Sequence, residues 1–151
     1  LNDLWKFDGA TWTWIAGDSW ANQAGVYGTR GAAAGSNKPG ARVGCVSWTD
    51  SRGNFWLFGG EGSTGTQAAV FLNDLWKFDG AAWTWVSGER TSDKAGVYGV
   101  CGTTADSNNP GARCDGIGWT DSQDNLWLFG GTGIDGTGAL GDLNDLWKYE
   151  P

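Results

Sequence analysis

Leu-Asn-Asp-Leu-Trp-Lys-Phe opens the chain at Leu1, returns unchanged at Leu72, and returns as Leu-Asn-Asp-Leu-Trp-Lys-Tyr at Leu143. Both intervals are 71 residues, and 41 of the positions in 1–71 are identical to their counterparts in 72–142. Two copies of one unit lie head to tail, followed by the opening of a third. A fixed period of this kind marks a repeat architecture, in which a unit cannot bury its apolar faces alone and needs neighbours.

The composition says what each unit is made of. The chain holds 27 Gly and 12 Trp, with no Met and no His. Gly supplies turns with positive φ, and Trp supplies flat apolar area with one N–H to satisfy. No window has helical apolar spacing or a helix-forming composition, so the expected class is all-β. Four strands are expected in each period. In the complete unit they are Ala41–Trp48, Asn54–Phe58, Asp74–Phe78 and Trp83–Val86. Thr49–Gly53 and Asp79-Gly80 read as the hairpin turns, and a polar, Gly-rich loop is expected from Gly59-Gly60 to about Phe71. Phe55 and Leu57 point to one side of the second strand, and Trp56 and Phe58 to the other. Both sides are apolar, which predicts a sheet covered on both faces. Gly44, Cys45 and Ser47 make the first strand small enough for a crowded interior. Trp83 and Trp85 alternate with Thr84, as in a half-exposed outer strand.

Trp56-Leu57-Phe58-Gly59-Gly60, then Asn73-Asp74-Leu75-Trp76-Lys77-Phe78-Asp79, then Trp85 resemble a kelch repeat. Trp127-Leu128-Phe129-Gly130-Gly131 and Asn144-Asp145-Leu146-Trp147 match the same pattern, and Trp14 stands where a unit's final Trp falls. The resemblance implies a β-propeller of four-stranded antiparallel blades, of which 1–151 would be a segment about two blades long. Residues 1–16 would supply the third and fourth strands of one blade, 41–87 a whole blade, and 112–151 three strands of another. A kelch unit runs to roughly 50 residues. The excess here falls in two insertions, 17–40 and 88–111, which share Ala-Gly-Val-Tyr-Gly and end in Pro-Gly-Ala-Arg. Loops so long and so patterned are expected to fold as compact flaps. Propellers have typically 4–8 blades, so the chain is expected to be a piece of a longer propeller, the alternative being several copies closing one ring.

Cys101 and Cys114 appear together in the second copy where the first has Arg30 and Val43. That pairing predicts a disulfide stapling the insertion to the next strand, and with it an oxidising compartment; two buried free thiols are the alternative. Cys45 reads as a buried thiol, and the Cys spacing suits no zinc site.

The net charge of −7 is wrong for nucleic acid or an anionic membrane surface. No run of residues approaches the length of a membrane-spanning helix. Some kelch-type propellers are copper oxidases with a His-built site, and this chain has no His to build one; His-dependent triads fall for the same reason. Asp8, Asp50, Asp79 and Asp121 sit where an Asx side chain caps its own turn, which argues against paired-carboxylate catalysis. Gly60–Gly65 and Gly131–Gly136 look like phosphate loops but have no helix after them. Oxygen ligands gather in Asp121–Asn125 and around Asp135 and Asp142, where calcium and an Asx-rich hairpin compete as readings. No cofactor is expected.

Binding is the functional expectation. The kelch resemblance places Arg42 and Arg113 near the mouth of a central channel, where arginines of such domains meet acidic peptides; the competing reading has each Arg tie down its own insertion. Tyr27 and Tyr98 could stack on a sugar or peptide or pack the flap. Trp20 faces Thr91 in the alignment, and an unrepeated Trp in a surface insertion is a binding signal. The expected protein is a non-catalytic, extracellular or surface-displayed module for protein or glycan. The alternatives are a structural repeat of an extracellular assembly and a non-catalytic part of a larger enzyme.

Overall fold

The computed structural model describes residues 1–63 and 68–151. It is all-β, with three antiparallel sheets and no helix among the described residues. The first sheet is the hairpin β1 (Leu4–Phe7) and β2 (Trp12–Ala16). The middle sheet runs from β3 (Arg42–Val43) and β4 (Val46–Thr49), both on β5 (Phe55–Ser63), through β6 (Ala68–Phe78) to β7 (Trp83–Ser87). The last sheet repeats this with β8 (Arg113–Cys114) and β9 (Ile117–Thr120) on β10 (Leu126–Ile134), followed by β11 (Leu140–Tyr149).

The turns follow the sequence reading. Asp79 Oδ1 accepts from Ala81 N and Ala82 N, both at 2.9 Å. Asp50 takes the N–H groups of Arg52 and Asn54 and the indole of Trp56. Each carboxylate replaces backbone partners that a tight turn leaves unmet.

The Gly-rich stretch departs from it. Gly59-Gly60 does not end β5 but forms a bulge, with φ of 62° and 100°, and the pairing resumes at Gly60↔Leu72 and Glu61↔Phe71. β10 and β11 likewise run on to Ile134↔Leu140. A Gly pair supplies the positive φ that a bulge needs as well as a turn does. The phosphate-loop-like stretches are therefore mostly strand, save that Thr64 and Gly65 lie outside the described residues. The expected first strand is split at Gly44-Cys45, opposite the bulge.

The sheets stack face to face. Val46, Trp48, Trp56, Phe58 and Leu75 of the middle sheet form one buried cluster with Leu126 and Leu128 of the last, against which Trp147 and Tyr149 also pack. Trp48 Nε1 donates to the Trp127 carbonyl across the joint at 3.0 Å. The approach is close enough that a Cβ on Gly118 would lie 2.4 Å from Val46 Cγ1. On the other side Leu57, Trp76, Phe78, Trp83 and Trp85 form a second cluster that takes in Leu4, Ala16 and Tyr27. Trp56 and Leu57 thus sit in different cores, as the alternation requires.

The outer strand β7 is half-buried, as expected: Trp83 and Trp85 are buried on one face, and Thr84, Val86 and Ser87 are only partly covered. Insertion 17–40 lies along it. Gly31 N donates to Trp85 O at 2.8 Å, and Asn37 Nδ2 to Trp83 O at 3.1 Å. One expectation is corrected: Cys101 and Cys114 are not bonded; both are free thiols, as is Cys45. Cys114 is buried in β8, its thiol 3.2 Å from Asp115 Oδ2. Cys101 is exposed on the flap. Its counterpart Arg30 reaches over the Trp85 ring of β7, so this position looks toward an outer strand and away from the strand that carries Cys114.

Candidate functional site

The two insertions are the parts of the chain that exceed a simple sheet, and the repeat motif holds them. Asp74 is the centre of the first lock. Arg42 meets it with two parallel hydrogen bonds, Nη1–Oδ1 at 2.6 Å and Nη2–Oδ2 at 2.8 Å. Tyr27 OH and Trp76 Nε1 both donate to Asp74 Oδ2 at 2.7 Å. Arg42 Nε and Nη1 also donate to the Gly40 and Gly59 carbonyls. Side-chain exposure is 4 % for Arg42 and 0 % for Asp74. A fork-shaped guanidinium suits a buried carboxylate because two parallel N–H groups meet its two oxygens.

The second copy repeats the lock with Arg113, Asp145, Tyr98 and Trp147. Arg113 Nη1 lies 2.5 Å from Asp145 Oδ1, and Tyr98 OH lies 2.6 Å from Oδ2. It is more open, with the Asp145 side chain 14 % exposed. Asn73, beside Asp74, holds the next flap at both ends: Oδ1 accepts from Glu89 N and Nδ2 donates to Pro110 O. Asn2 does the same for the first flap, through Asp18 N and Pro39 O. In β6 the Asn73-Asp74 pair is thus a two-sided anchor, Asp74 for the first flap and Asn73 for the second.

The electrostatics follow from this geometry. Burial pushes the Asp74 carboxyl up, but the Arg42 charge and the three donors outweigh it and leave its pKa below the ordinary value. Asp145 is held at about 2 by the same competition. Burial and the neighbouring Asp74 charge push the Tyr27 phenol well up, so it stays a neutral donor. Arg42, its charge disfavoured by burial, is still raised by Asp74.

Arg42 and Arg113, expected at a binding surface, are therefore buried, and Tyr27 and Tyr98 are turned onto the same carboxylates, Tyr98 remaining partly open to solvent. Arg42 and Arg113 tie down their own insertions through carbonyls, which was the competing sequence reading, and each adds a carboxylate partner that the sequence reading missed. The missed signal was a constant separation: Arg42 to Asp74 and Arg113 to Asp145 both span 32 residues.

An unrepeated cluster sits on the first flap. Arg30 and Arg90 lie on the Trp85 ring at 4.4 and 4.7 Å from its centroid, and Arg90 also approaches Tyr27. Arg30 Nη2 donates to Gly88 O and Arg90 Nη2 to Gly28 O, so each flap grips the other. Cys101 and Ser19 stand at these positions in the other copies. Next to it, Ala24, Gly25, Tyr27, Gly40, Leu72 and Arg90 help line a shallow recess of about 180 Å³. Trp20 is placed on the flap surface, 74 % exposed.

The oxygen-rich turns are internally satisfied. Asp121 caps its hairpin and takes the Trp127 indole. Asp124 accepts from Ser51 N and Oγ of the neighbouring sheet, Asp135 caps Thr137 and Ala139, and Asp142 accepts from Thr132. Among the described residues no group of three His, Cys, Asp or Glu side chains is placed to hold a metal ion, and no helix is long and apolar enough to cross a membrane.

Comparison with protein-family models gives no match, and comparison with curated proteins gives none either.

Proposed function

We propose that this chain is a non-catalytic segment of a kelch-type β-propeller, its three sheets being consecutive blades, and that it binds protein or glycan outside the cell or at its surface through the insertion flaps. The observation that carries this reading is the repeated Arg–Asp–Tyr lock. It fixes both long insertions as rigid platforms, and recognition groups on a rigid support lose little freedom when a partner arrives. Trp20, Arg30 and Arg90 are the groups offered: one exposed indole and two guanidiniums, types enriched where partners bind tightly. They are also the ones the repeat does not demand. Arg42, Arg113, Tyr27 and Tyr98 serve this function by holding the platforms.

The test is an array of immobilised glycans and secreted proteins, probed with the wild type, with Trp20→Ala, and with Arg30→Ala plus Arg90→Ala. Signals lost in the variants with unchanged circular dichroism support the reading. Equal signals from all three proteins would overturn it.

A second reading, a structural repeat that stacks in an assembly, is favoured by the outward faces. Trp5, Trp12 and Trp14 are exposed at one end and Ile117, Trp119, Phe129 and Leu146 at the other, while their counterparts in the middle sheet are buried. Large exposed apolar faces are interaction surfaces.

A further inference from the structure

Arg30 and Arg90 converge on one buried ring. Their guanidinium carbons lie 4.4 and 4.7 Å from the Trp85 centroid, and that of Arg90 lies 5.9 Å from the Tyr27 centroid. Contacts of this length hold a cation over an aromatic face. One nitrogen of each is fixed further, Arg30 Nη2 on Gly88 O at 2.6 Å and Arg90 Nη2 on Gly28 O at 2.7 Å. Nε and Nη1 of both find no protein acceptor among the described residues. A guanidinium held in this way keeps N–H groups for an anion and loses little freedom on binding one.

The two charges are unequally compensated. Arg30 has Glu89 at 3.8 Å, with both side chains half exposed, so the pair is weak. Arg90 has no carboxylate at ion-pair distance among the described residues. Asp93, in the same flap, is turned to Phe71 N. Like charges on one ring repel, and a bound anion relieves that repulsion.

Arg90 also walls the recess beside Tyr27 and Leu72. The recess lies between two flaps that are both in place, away from the outward faces of the stack. Its volume of about 180 Å³ is below the ~300–1,000 Å³ of a site for a whole small molecule, so it takes one residue of a longer ligand. An extended peptide does not suit it. Peptides that add to a sheet need a free strand edge, and the strands here are taken: Leu72 pairs with Gly60, Arg42 with Gly62 and Val26 with Lys38. Arg42 is neutralised by Asp74, which leaves Arg90 as the charge on offer. A sugar ring with one negative group matches an aromatic ring, an apolar side chain and a guanidinium fork. The net charge of −7 repels a dense polyanion far more than a single charge at this fork.

We propose that the recess between flaps 17–40 and 88–111 binds one anionic sugar residue of a sparsely charged glycan, its ring against Tyr27 and Leu72 and its carboxylate or sulfate on Arg90, with Arg30 beside it. This rests on the flaps being the binding platform and names what they bind.

An NMR titration of the nitrogen-labelled protein tests it with four probes: xylotetraose bearing one glucuronate, bare xylotetraose, a galactose disaccharide bearing one sulfate, and a tetrapeptide with one Glu. At about millimolar concentration an acidic sugar should shift the Arg90 Nε–H and the amides of Gly25, Tyr27 and Leu72, and bare xylotetraose should not. The tighter of the two acidic sugars shows which anion the site prefers. Arg90→Gln should weaken that binding at least about tenfold. Ala24→Leu, which fills the recess and touches no charge, should weaken it as well. Glu89→Gln, an exposed change, should tighten it about two- to fivefold, because Arg30 then has no counter-charge. Equal binding of bare xylotetraose would overturn the proposal, as would tighter binding of the peptide, or affinity unchanged in Arg90→Gln and Glu89→Gln alike. If neither acidic sugar binds while the array yields another ligand that Trp20→Ala loses, the recess is not the site and the flaps still bind. With no ligand in either experiment, neither claim survives.

Discussion

Asp74→Asn is the sharpest probe of the flap lock. Asp74 Oδ1 accepts from Arg42, and Oδ2 accepts from Arg42, Tyr27 and Trp76. An amide can offer only one acceptor atom. If its NH2 takes the Oδ2 place, it faces three donors. If it takes the Oδ1 place, it faces a guanidinium N–H, and in both cases a buried cation loses its counter-charge. Breaking a buried pair in this way costs about 3–5 kcal/mol. Asp145→Asn removes the same contacts in a lock that water reaches, and should cost roughly half as much. Urea unfolding followed by circular dichroism reads both. With a slope of about 1–3 kcal/mol per molar, Asp74→Asn should lower the midpoint by at least about 1 M. Arg42→Met added to Asp74→Asn should recover part of the loss, because the buried cation is then gone. A cost below about 1 kcal/mol for Asp74→Asn would refute the account, as would a larger cost for Asp145→Asn.

Acid should loosen the second lock. The Asp145 carboxyl sits at about 2 in the folded chain against about 3.9 unfolded, so its contribution is complete above pH 4 and is lost as the pH falls through 2; for this partly exposed group that is roughly 1–2 kcal/mol in an acid titration of urea midpoints. All three cysteines should alkylate under denaturing, non-reducing conditions. In the folded protein Cys101 should react first, while Cys114, its pKa raised to about 11 by burial and by Asp115, should react slowest. Gly118→Ala puts a methyl 2.4 Å from Val46 Cγ1 and 2.6 Å from Trp48 Nε1, and should destabilise by about 1–3 kcal/mol in the same urea assay; a neutral effect would mean the middle and last sheets are not packed this closely.

Much of the architecture was readable because it repeats. The alternation of Phe55, Trp56, Leu57 and Phe58 placed two cores on the two sides of one strand, and the Asp residues at Asp50 and Asp79 marked their turns. Local chemistry decides those features, and local chemistry is what a sequence displays. Gly59-Gly60 misled because the same positive φ serves a turn and a bulge, and only the partner strand tells them apart. The flap that lies along β7 was hidden because Gly31 and Asn37, which bond its carbonyls, come some 50 residues earlier in the chain. The carboxylate partner of Arg42 was hidden because Asp74 lies on another strand, 32 residues further along the chain. Cys101 and Cys114 looked paired because they arose together, yet Cys114 is buried in β8 while Cys101 stands exposed on the flap.

Hydrogen exchange over residues 17–40 tests the central idea, that these insertions are clamped flaps, most directly. The amides of Val26, Gly31, Asn37 and Lys38 are all hydrogen-bonded, Gly31 to the outer strand itself. They should exchange as slowly as the amides of Trp83–Ser87, and faster only when Asp74 is replaced by Asn. Exchange at the rate of an unstructured chain in the unmodified protein would contradict the account.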